Sequence, residues 1–307
     1  MNDLIQVPAF ARLDDYIGLW SMLPDKFAGL WHYSQLIDWR AHMAEKIEPQ
    51  ALVEKQALAG GGAIAIVRLA GVLMKSQTSM GGTSTIQARR DIRQAAADPD
   101  VSAILLAIDS PGGTVAGTDD LATEVRNARK QKTVWAHVDD LCASAAYWVA
   151  SQAERITVNS PTALVGSIGT MQVVRDSSEA DKMAGIRTLL FATGPLKGAG
   201  TPGVPVTDDQ TAYFQDTISK SQEIFDAAVR SGRKLSAKEL ENVRSGAVFI
   251  AGDAQDRKLV DAIQPLAKTL SELSRGAPAE RRRAELPNEP TGCLPTLERR
   301  GLPMLGV

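Results

Sequence analysis

VSAILLAIDSPGG, residues 101–113, is the stretch that decides the fold of this chain. Its first eight residues are almost continuously apolar, which is typical of a strand buried on both faces of a sheet. The loop 109–113 follows directly, at the position where α/β folds build their sites. Its two glycines leave backbone N–H groups unobstructed, which suits an oxyanion hole, a closely packed substrate strand or an ordinary tight turn.

Strands and helices alternate on both sides of this stretch, which predicts an α/β fold with a mostly parallel sheet. Capping sequences at Ser84–Gln87, Thr207–Gln210 and Ser236–Glu239 predict three helix starts. The other helices are predicted at 116–129, 144–152 and 177–184, and the other strands at 63–69, 133–138, 155–158, 170–174 and 186–193.

The chain divides into three parts by composition. Residues 1–54 hold three of the five tryptophans and are predicted to be a helical arm, whose aromatic face either packs internally or docks on a neighbour. Residues 55–272 form the predicted catalytic domain. Residues 273–307 are rich in proline and arginine, which predicts a disordered tail.

Charge and cysteine content exclude several classes of function. The 34 Lys and Arg residues nearly balance 36 Asp and Glu residues, so no cationic face for nucleic acid is expected. The two cysteines lack metal or disulfide spacing, and neither a metal nor a cofactor is predicted.

The longest uncharged apolar run, 57–67, is too short for a membrane span, and the amino terminus lacks a basic signal-peptide region. A cytoplasmic location is therefore expected.

Ser144 is the candidate nucleophile. It lies in LCASAAYW, residues 141–148, among small side chains at a predicted helix start. Small neighbours admit a substrate, and free N–H groups of the first helical turn stabilise a developing oxyanion. The same pattern also fits a plain N-cap serine on a packing helix.

A serine nucleophile needs a base, and the histidines are poor candidates. His32 and His42 lie in the arm, and His137 lies in an apolar strand where a core role is favoured. No histidine follows Ser144, which excludes the Clp order of serine then histidine. A lysine accepts a proton only when neutral, a form that apolar surroundings favour. Lys197, in ATGPLKGAG at 192–200, has such surroundings in the sequence.

Four motifs in this order resemble the signal peptide peptidase A family of Ser/Lys peptidases. They are DSPGG at 109–113, ASAAYW at 143–148, VGSIGT at 165–170 and the lysine loop at 192–200, within a resemblance that covers residues 62–265. The resemblance implies a Clp protease/crotonase-like spiral of repeated ββα units. It also implies roles for six residues: Ser144 as nucleophile, Lys197 as general base, Ser167 as the residue that orients the lysine, and Gly112, Gly113 and Ala145 at the oxyanion and substrate site.

The chain departs from the usual pattern of that family. Ala145-Ala146 replaces Gly-Gly after the nucleophile, and no membrane anchor is predicted. With its arm and tail, the chain more closely resembles the phage head peptidases of the minor capsid protein C group. This implies a homo-oligomer acting on protein substrates in the host cytoplasm or prohead, with capsid, scaffold or portal proteins as partners. The family's rings also imply that Ser144 and Lys197 come from adjacent subunits.

Three other interpretations remain open at this point. The chain could be a cytoplasmic hydrolase of peptides, similar to signal peptide peptidase. It could be a crotonase-type acyl-CoA enzyme, although that leaves Ser144 and Lys197 unexplained. It could also be an inactive structural protein of the capsid.

Overall fold

The computed structural model describes residues 18–36, 53–58, 61–76 and 82–276. Two sheets and the helices around them make up this part of the chain. The main sheet contains β2 (Val53–Ala57), β3 (Ala63–Ala70), β6 (Val101–Ser110), β8 (Thr133–Ala143), β9 (Arg155–Val158), β10 (Leu164–Gly166), β11 (Val248–Ile250) and β12 (Ala262–Ile263). The small sheet contains β1 (Trp20–Met22), β4 (Leu73–Met74), β5 (Thr83–Ser84) and β7 (Gly112–Thr114).

The described residues also form nine helices. They are α1 (Pro24–Leu36), α2 (Thr85–Ala97), α3 (Thr118–Ala128), α4 (Ala145–Ala150), α5 (Ser178–Met183), α6 (Asp208–Arg233), α7 (Ala237–Glu241), α8 (Ala251–Asp256) and α9 (Leu266–Gly276). Within the described ranges, no helix has the length and apolarity needed to cross a membrane.

Strand β6 is the centre of the main sheet, as its apolar sequence predicts. It pairs in parallel with β3 on one side and β8 on the other. Ile104, Leu105 and Leu106 are all fully buried, because the strand is covered on both faces. Strand β8 in turn pairs in parallel with β9 and β10. The prediction of an α/β fold with a mostly parallel sheet is therefore confirmed.

The elements follow a repeated order of long strand, short strand and helix. Strand β3 leads through β4 and β5 into α2, and β6 leads through β7 into α3. The long strands join the main sheet and the short strands join the small one. This is the ββα unit of the Clp/crotonase-like spiral, so the predicted fold class is confirmed.

The predicted helix starts are confirmed by side-chain caps. The hydroxyl of Ser84 accepts from the Gln87 N–H at the start of α2, and that of Thr207 accepts from the Gln210 N–H at the start of α6. At α7, Ser236 and Glu239 form a complete capping box. Each cap satisfies a backbone N–H that has no partner within its helix.

Two of the predicted strands are wrong. Residues 186–193 have no regular secondary structure, although Ile186, Leu189 and Phe191 are strand-forming residues. No strand among the described residues pairs with them, and Phe191 remains 90% exposed. Residues 170–174 contribute only one bridge, from Met171 to Trp20. Strand propensity requires a pairing partner, and the local pattern carries no information about one.

The structure also differs from the sequence interpretation near both ends. Trp20–Met22, placed in a helical arm by the sequence, is a strand of the small sheet, and α1 begins only at Pro24. Helix α9 continues beyond residue 272, and Leu273 is fully buried beneath the main sheet. The rest of the predicted arm, 1–17 and 37–52, and the predicted tail from 277 onward lie outside the described residues.

Packing of α4 against α6 provides a test of the core. The rings of Trp148 and Phe225 stack with centroids 4.6 Å apart, and Phe225 is fully buried. We expect Phe225→Ala to lower the free energy of unfolding by about 3–5 kcal/mol, because it leaves a cavity. Phe191→Ala removes the same ring from an exposed position, and should change the free energy of unfolding by less than about 0.5 kcal/mol. Urea denaturation measures both, and equal losses would contradict this account of the core.

Candidate active site

The parallel pairing of β8 and β10 brings two motifs together. Ala143 lies opposite Gly166, so Ser144 and Ser167 leave adjacent strands side by side. The N–H of Ser144 donates to the Gly166 carbonyl at 2.8 Å. Ser144 and Ser167, which the resemblance assigns to one site, therefore follow neighbouring strand ends of one chain.

Ser144 occupies a strained turn between strand β8 and helix α4. Its φ of 57° and ψ of −118° lie in a region that residues with a side chain rarely adopt. Its carbonyl accepts from the Trp148 N–H, which begins the helix. The N–H of Ala145 therefore belongs to the first turn, where N–H groups have no intrahelical acceptor. A nucleophilic serine at a sharp strand-to-helix elbow has this geometry.

The loop 109–113, here called the glycine loop, approaches Ser144 closely because Gly112 and Gly113 have no side chains. A Cβ atom on Gly112 would lie 3.0 Å from Ser144 Cβ and 2.3 Å from the Ser21 carbonyl oxygen. A Cβ atom on Gly113 would lie 1.8 Å from the Leu73 carbonyl oxygen. Backbone packing at both positions therefore requires glycine, and the loop predicted to supply oxyanion donors does lie beside Ser144.

Ser110 holds the glycine loop in place. Its hydroxyl donates to the Gly71 carbonyl at 2.6 Å and accepts from the Gly112 N–H at 3.2 Å. Ser110 is fully buried, so these bonds satisfy a hydroxyl that water does not reach. The sequence placed Ser110 in the loop but gave no sign of this supporting role.

The hydroxyl of Ser144 contacts a residue that the sequence analysis missed. Its Oγ lies 2.7 Å from Ser21 Oγ, so one of the two hydroxyls donates to the other. The Gly169 carbonyl oxygen lies 3.1 Å from Ser21 Oγ and 3.3 Å from Ser144 Oγ and accepts from the hydroxyl whose proton remains. Ser21 and Ser144 are both fully buried. They are 123 positions apart, and no local motif marks Ser21 as part of the site.

Ser167 resembles Ser144 in its backbone. Its φ is 50°, and its N–H donates to the Ala247 carbonyl at 2.7 Å. Ala247 directly precedes β11, which pairs with β10. Two adjacent strand ends thus carry serines in left-handed backbone conformations, which β11 and α4 hold in place.

Lys197 is not brought to Ser144 within the described part of one chain. It lies in a turn-rich loop and its side chain is exposed. Leu190, Phe191 and Leu196 of the same region are exposed as well, at 41%, 90% and 39%. The apolar surroundings that the sequence indicates for Lys197 therefore face outward in a single chain.

His137 has the core role that the sequence favoured. It is fully buried in β8, and its Nδ1 lies 2.8 Å from Thr157 Oγ1 and 3.3 Å from Thr269 Oγ1. Burial lowers the pKa of His137, and the nearby Asp139 opposes this effect. The imidazole is therefore kept neutral and its hydrogen bonds belong to the core.

Burial also raises the pKa of two groups near the glycine loop. The pKa of the Asp109 carboxyl is raised by burial first and then by Asp140 and Asp139. The pKa of the Cys142 thiol is raised by complete burial and by Asp109. Cys142 is consequently a protonated thiol of the core, two residues before Ser144.

A serine at a strained elbow, beside a glycine strand and the first N–H groups of a helix, is an arrangement that serine-type hydrolases use for a nucleophile and its oxyanion donors. The sequence profile of peptidase family S49 matches residues 126–280, and the chain belongs to this family. The resemblance predicted from the four motifs is thereby confirmed.

The curated relatives include proteases of bacteria and of a phage. Capsid assembly protease C of Escherichia phage lambda is 32% identical over 206 residues, which cover 65% of this chain and 46% of that protein. Protease 4 of Salmonella typhi is 28% identical over 204 residues, which cover 66% of this chain and 33% of that protein. The chain thus spans less than half the length of either relative.

Among solved structures, the chain is similar to a ClpP1 mutant of Listeria monocytogenes. The TM-score is 0.43 at 13% sequence identity, and the match covers 67% of this chain and 94% of that one.

The neutral state of His137 predicts how stability depends on pH. The ordinary pKa of histidine is 6.5 and the folded protein lowers it, so the unfolded chain binds more protons below that pH. The free energy of unfolding should therefore fall as the pH drops below about 6.5. His137→Gln should flatten the decline between about pH 5 and 6.5. Urea denaturation of both proteins across this range measures the slopes, and identical slopes would assign the decline to other groups.

Proposed function

We propose that this protein is a serine endopeptidase with a Ser144/Lys197 dyad, and that it cleaves capsid or scaffold proteins in a phage or prophage prohead. One observation carries the proposal. The buried Ser144 hydroxyl lies at a strained elbow, between the glycines of β7 and the first N–H groups of α4. The proposed nucleophile therefore lies beside the proposed oxyanion donors, which supports the proposal.

The proposed reaction begins with an extended substrate chain beside β7. Ser144 Oγ attacks the carbonyl carbon of the scissile bond while neutral Lys197 accepts the hydroxyl proton. The N–H groups of Gly113 and Ala145 stabilise the oxyanion, and Gly112 leaves room for the substrate backbone. The amine product leaves with the proton from Lys197, and water then hydrolyses the acyl-enzyme. Ser167 lies beside Ser144 and is assigned to orient the lysine.

The position of Lys197 supports a dyad shared between subunits. The residue is exposed, and the apolar side chains near it face outward in one chain. Apolar surface of this kind is typical of an interface between subunits. In a homo-oligomer the loop 192–200 would cover a neighbouring site, where apolar surroundings favour the neutral lysine that a base requires.

The assignment to a prohead rests on the phage relative. The match to capsid assembly protease C of phage lambda is higher in identity than the match to bacterial Protease 4. Capsid and scaffold proteins are therefore the proposed substrates, and the prohead or the host cytoplasm is the proposed location. No nucleic acid is needed for the reaction.

Ser144→Ala tests the nucleophile. We expect loss of fluorophosphonate labelling and of scaffold-protein cleavage to below about 1% of wild type, because the substitution removes the proposed nucleophilic oxygen. Ser151→Ala is the matched control, since it removes a fully buried hydroxyl at the other end of α4. That variant should keep most of the activity. Activity of Ser144→Ala in protein free of contaminating protease would place the nucleophile elsewhere.

Subunit mixing tests the shared dyad. Ser144→Ala and Lys197→Ala should each be inactive, but mixing them under subunit exchange should restore up to about a quarter of wild-type activity, from interfaces with an intact serine and an intact lysine. Lys197→Arg should be as inactive as Lys197→Ala, because arginine does not give up its proton.

Light scattering and the exchange of labelled subunits provide the controls for mixing. Mixing two preparations of the same variant should restore nothing. An exchanging oligomer whose mixed variants stay inactive would place both residues in one subunit, and a fully active monomer would do the same.

A further inference from the structure

Strand β1 lies where an extended peptide would have to bind in order to reach Ser144. Trp20–Met22 pairs antiparallel with Gly112–Thr114 of β7. On its other side, Trp20 and Met171 exchange two backbone hydrogen bonds of 2.8 Å. We define the peptide groove as the space between β7 and the backbone of Met171. The chain's own residues 19–23 fill it.

The register places a carbonyl oxygen at the proposed oxyanion donor. Hydrogen-bonded pairs alternate along an antiparallel ladder, and this alternation makes Ser21 and Gly113 such a pair. The Gly113 N–H thus donates to the Ser21 carbonyl, as it would to the carbonyl of a substrate. The bonds that flank this pair run from the Leu23 N–H to the Pro111 carbonyl (2.9 Å) and from the Val115 N–H to the Leu19 carbonyl (3.0 Å).

The side chain of the occupant also covers the nucleophile. Ser21 Oγ lies 2.7 Å from Ser144 Oγ, so one hydroxyl donates to the other, and the Gly169 carbonyl oxygen lies within 3.3 Å of both. Neither serine has exposed surface. With β1 in place, the Ser144 hydroxyl and the Gly113 N–H are both occupied by the chain itself.

We propose that the peptide groove binds extended peptide substrates and that residues 19–23 are its internal occupant, which a substrate must displace. The inference rests on the proposed function only for the role of Ser144. A substrate would add a strand to β7 in place of β1, because each N–H and C=O of β7 on that side pairs with only one strand.

The occupant indicates the chemical class of peptide that fits. Successive side chains of a strand point to opposite faces, and the small side chain of Ser21 faces Ser144. Trp20 and Met22 are buried on the other face, in a cluster with Phe27 and Met171. The groove therefore favours an extended peptide with a small residue between two bulky apolar residues.

The short strand is suited to displacement. It has three residues and forms the edge of the small sheet, whose order is β1-β7-β4-β5. A strand this short is marginal by itself and depends on its side-chain contacts. One such contact is made by the Trp20 ring, which packs against the Phe27 ring with centroids 5.2 Å apart and anchors the strand.

Substitutions of Ser21 in the full chain test whether residues 19–23 block the peptide groove. Ser21→Pro removes the N–H that pairs with Gly113, and should raise the rate of fluorophosphonate labelling by about tenfold, because it raises the open fraction. Ser21→Ala keeps that N–H and loses only the hydroxyl, so its gain should be much smaller. Equal labelling of wild type and a folded Ser21→Pro protein would overturn the proposal that residues 19–23 block the groove.

A second variant covers the case in which Ser21→Pro does not fold. Trp20→Ala removes the aromatic anchor without changing any backbone donor. It should also raise the rate of fluorophosphonate labelling. Far-ultraviolet circular dichroism and thermal melting establish that each variant is folded. Intact mass establishes that each retains the full chain. A folded Trp20→Ala protein that labels at the wild-type rate would also count against the proposal.

Peptide binding separates this proposal from the proposed function. A fluorescent peptide of residues 18–25 should bind Ser144→Ala/Ser21→Pro at least about tenfold more tightly than Ser144→Ala, whose groove is filled. The same peptide with proline at the position of Ser21 is the control and should bind neither. Fluorescence anisotropy measures the binding of both peptides and does not depend on catalysis.

The two proposals fail in different ways. Binding of the peptide to the opened groove, with no labelling of any variant, would support the groove and overturn the nucleophile. Equal labelling of wild type, Ser21→Pro and Trp20→Ala that is lost in Ser144→Ala, with no peptide binding, would support the nucleophile and overturn the groove.

Discussion

The parallel pairing of β8 with β10 is the constraint on which the rest of the site depends. It fixes the point at which Ser144 leaves one strand and Ser167 leaves the next. Strand β6, on the other side of β8, delivers the glycine loop to the same edge. A shift of one residue in either register would turn every side chain of the shifted strand to the opposite face and separate these groups.

The strain at Ser144 is tolerated because its surroundings leave no alternative. A non-glycine residue in such a conformation costs on the order of 1–3 kcal/mol. Helix α4 follows immediately, and all six of its residues are buried. Relaxing the turn would move this helix out of the core, at a larger cost than the strain itself. The packing of Trp148 and its neighbours therefore maintains the conformation of the nucleophile.

Local patterns in the sequence predicted much of this architecture. The apolar run of β6, the caps at Ser84 and Thr207 and the small residues around Ser144 each depend on neighbours in the chain. They predicted most of the elements and the right class of fold, whereas the grouping of Ser144, Ser167 and the glycine loop into one site came from the family resemblance.

The errors concern pairing between distant parts of the chain. Residues 186–193 have the composition of a strand but lack a partner, and Trp20–Met22 is a strand because β7 provides one. The contact of Ser21 with Ser144 joins positions 123 apart, which no periodicity encodes. The exposure of Lys197 likewise depends on what surrounds it in space, whereas the sequence shows only its neighbours in the chain.

The buried thiol of Cys142 has a practical consequence for following motion at this edge of the sheet. The side chain is fully enclosed, and burial holds it in the protonated form that reacts poorly with alkylating reagents. A thiol reagent therefore reaches Cys142 only when β8 separates from its neighbours. Its rate of modification reports how often the backbone beneath the nucleophile opens, in the same way that amide hydrogen exchange reports local unfolding.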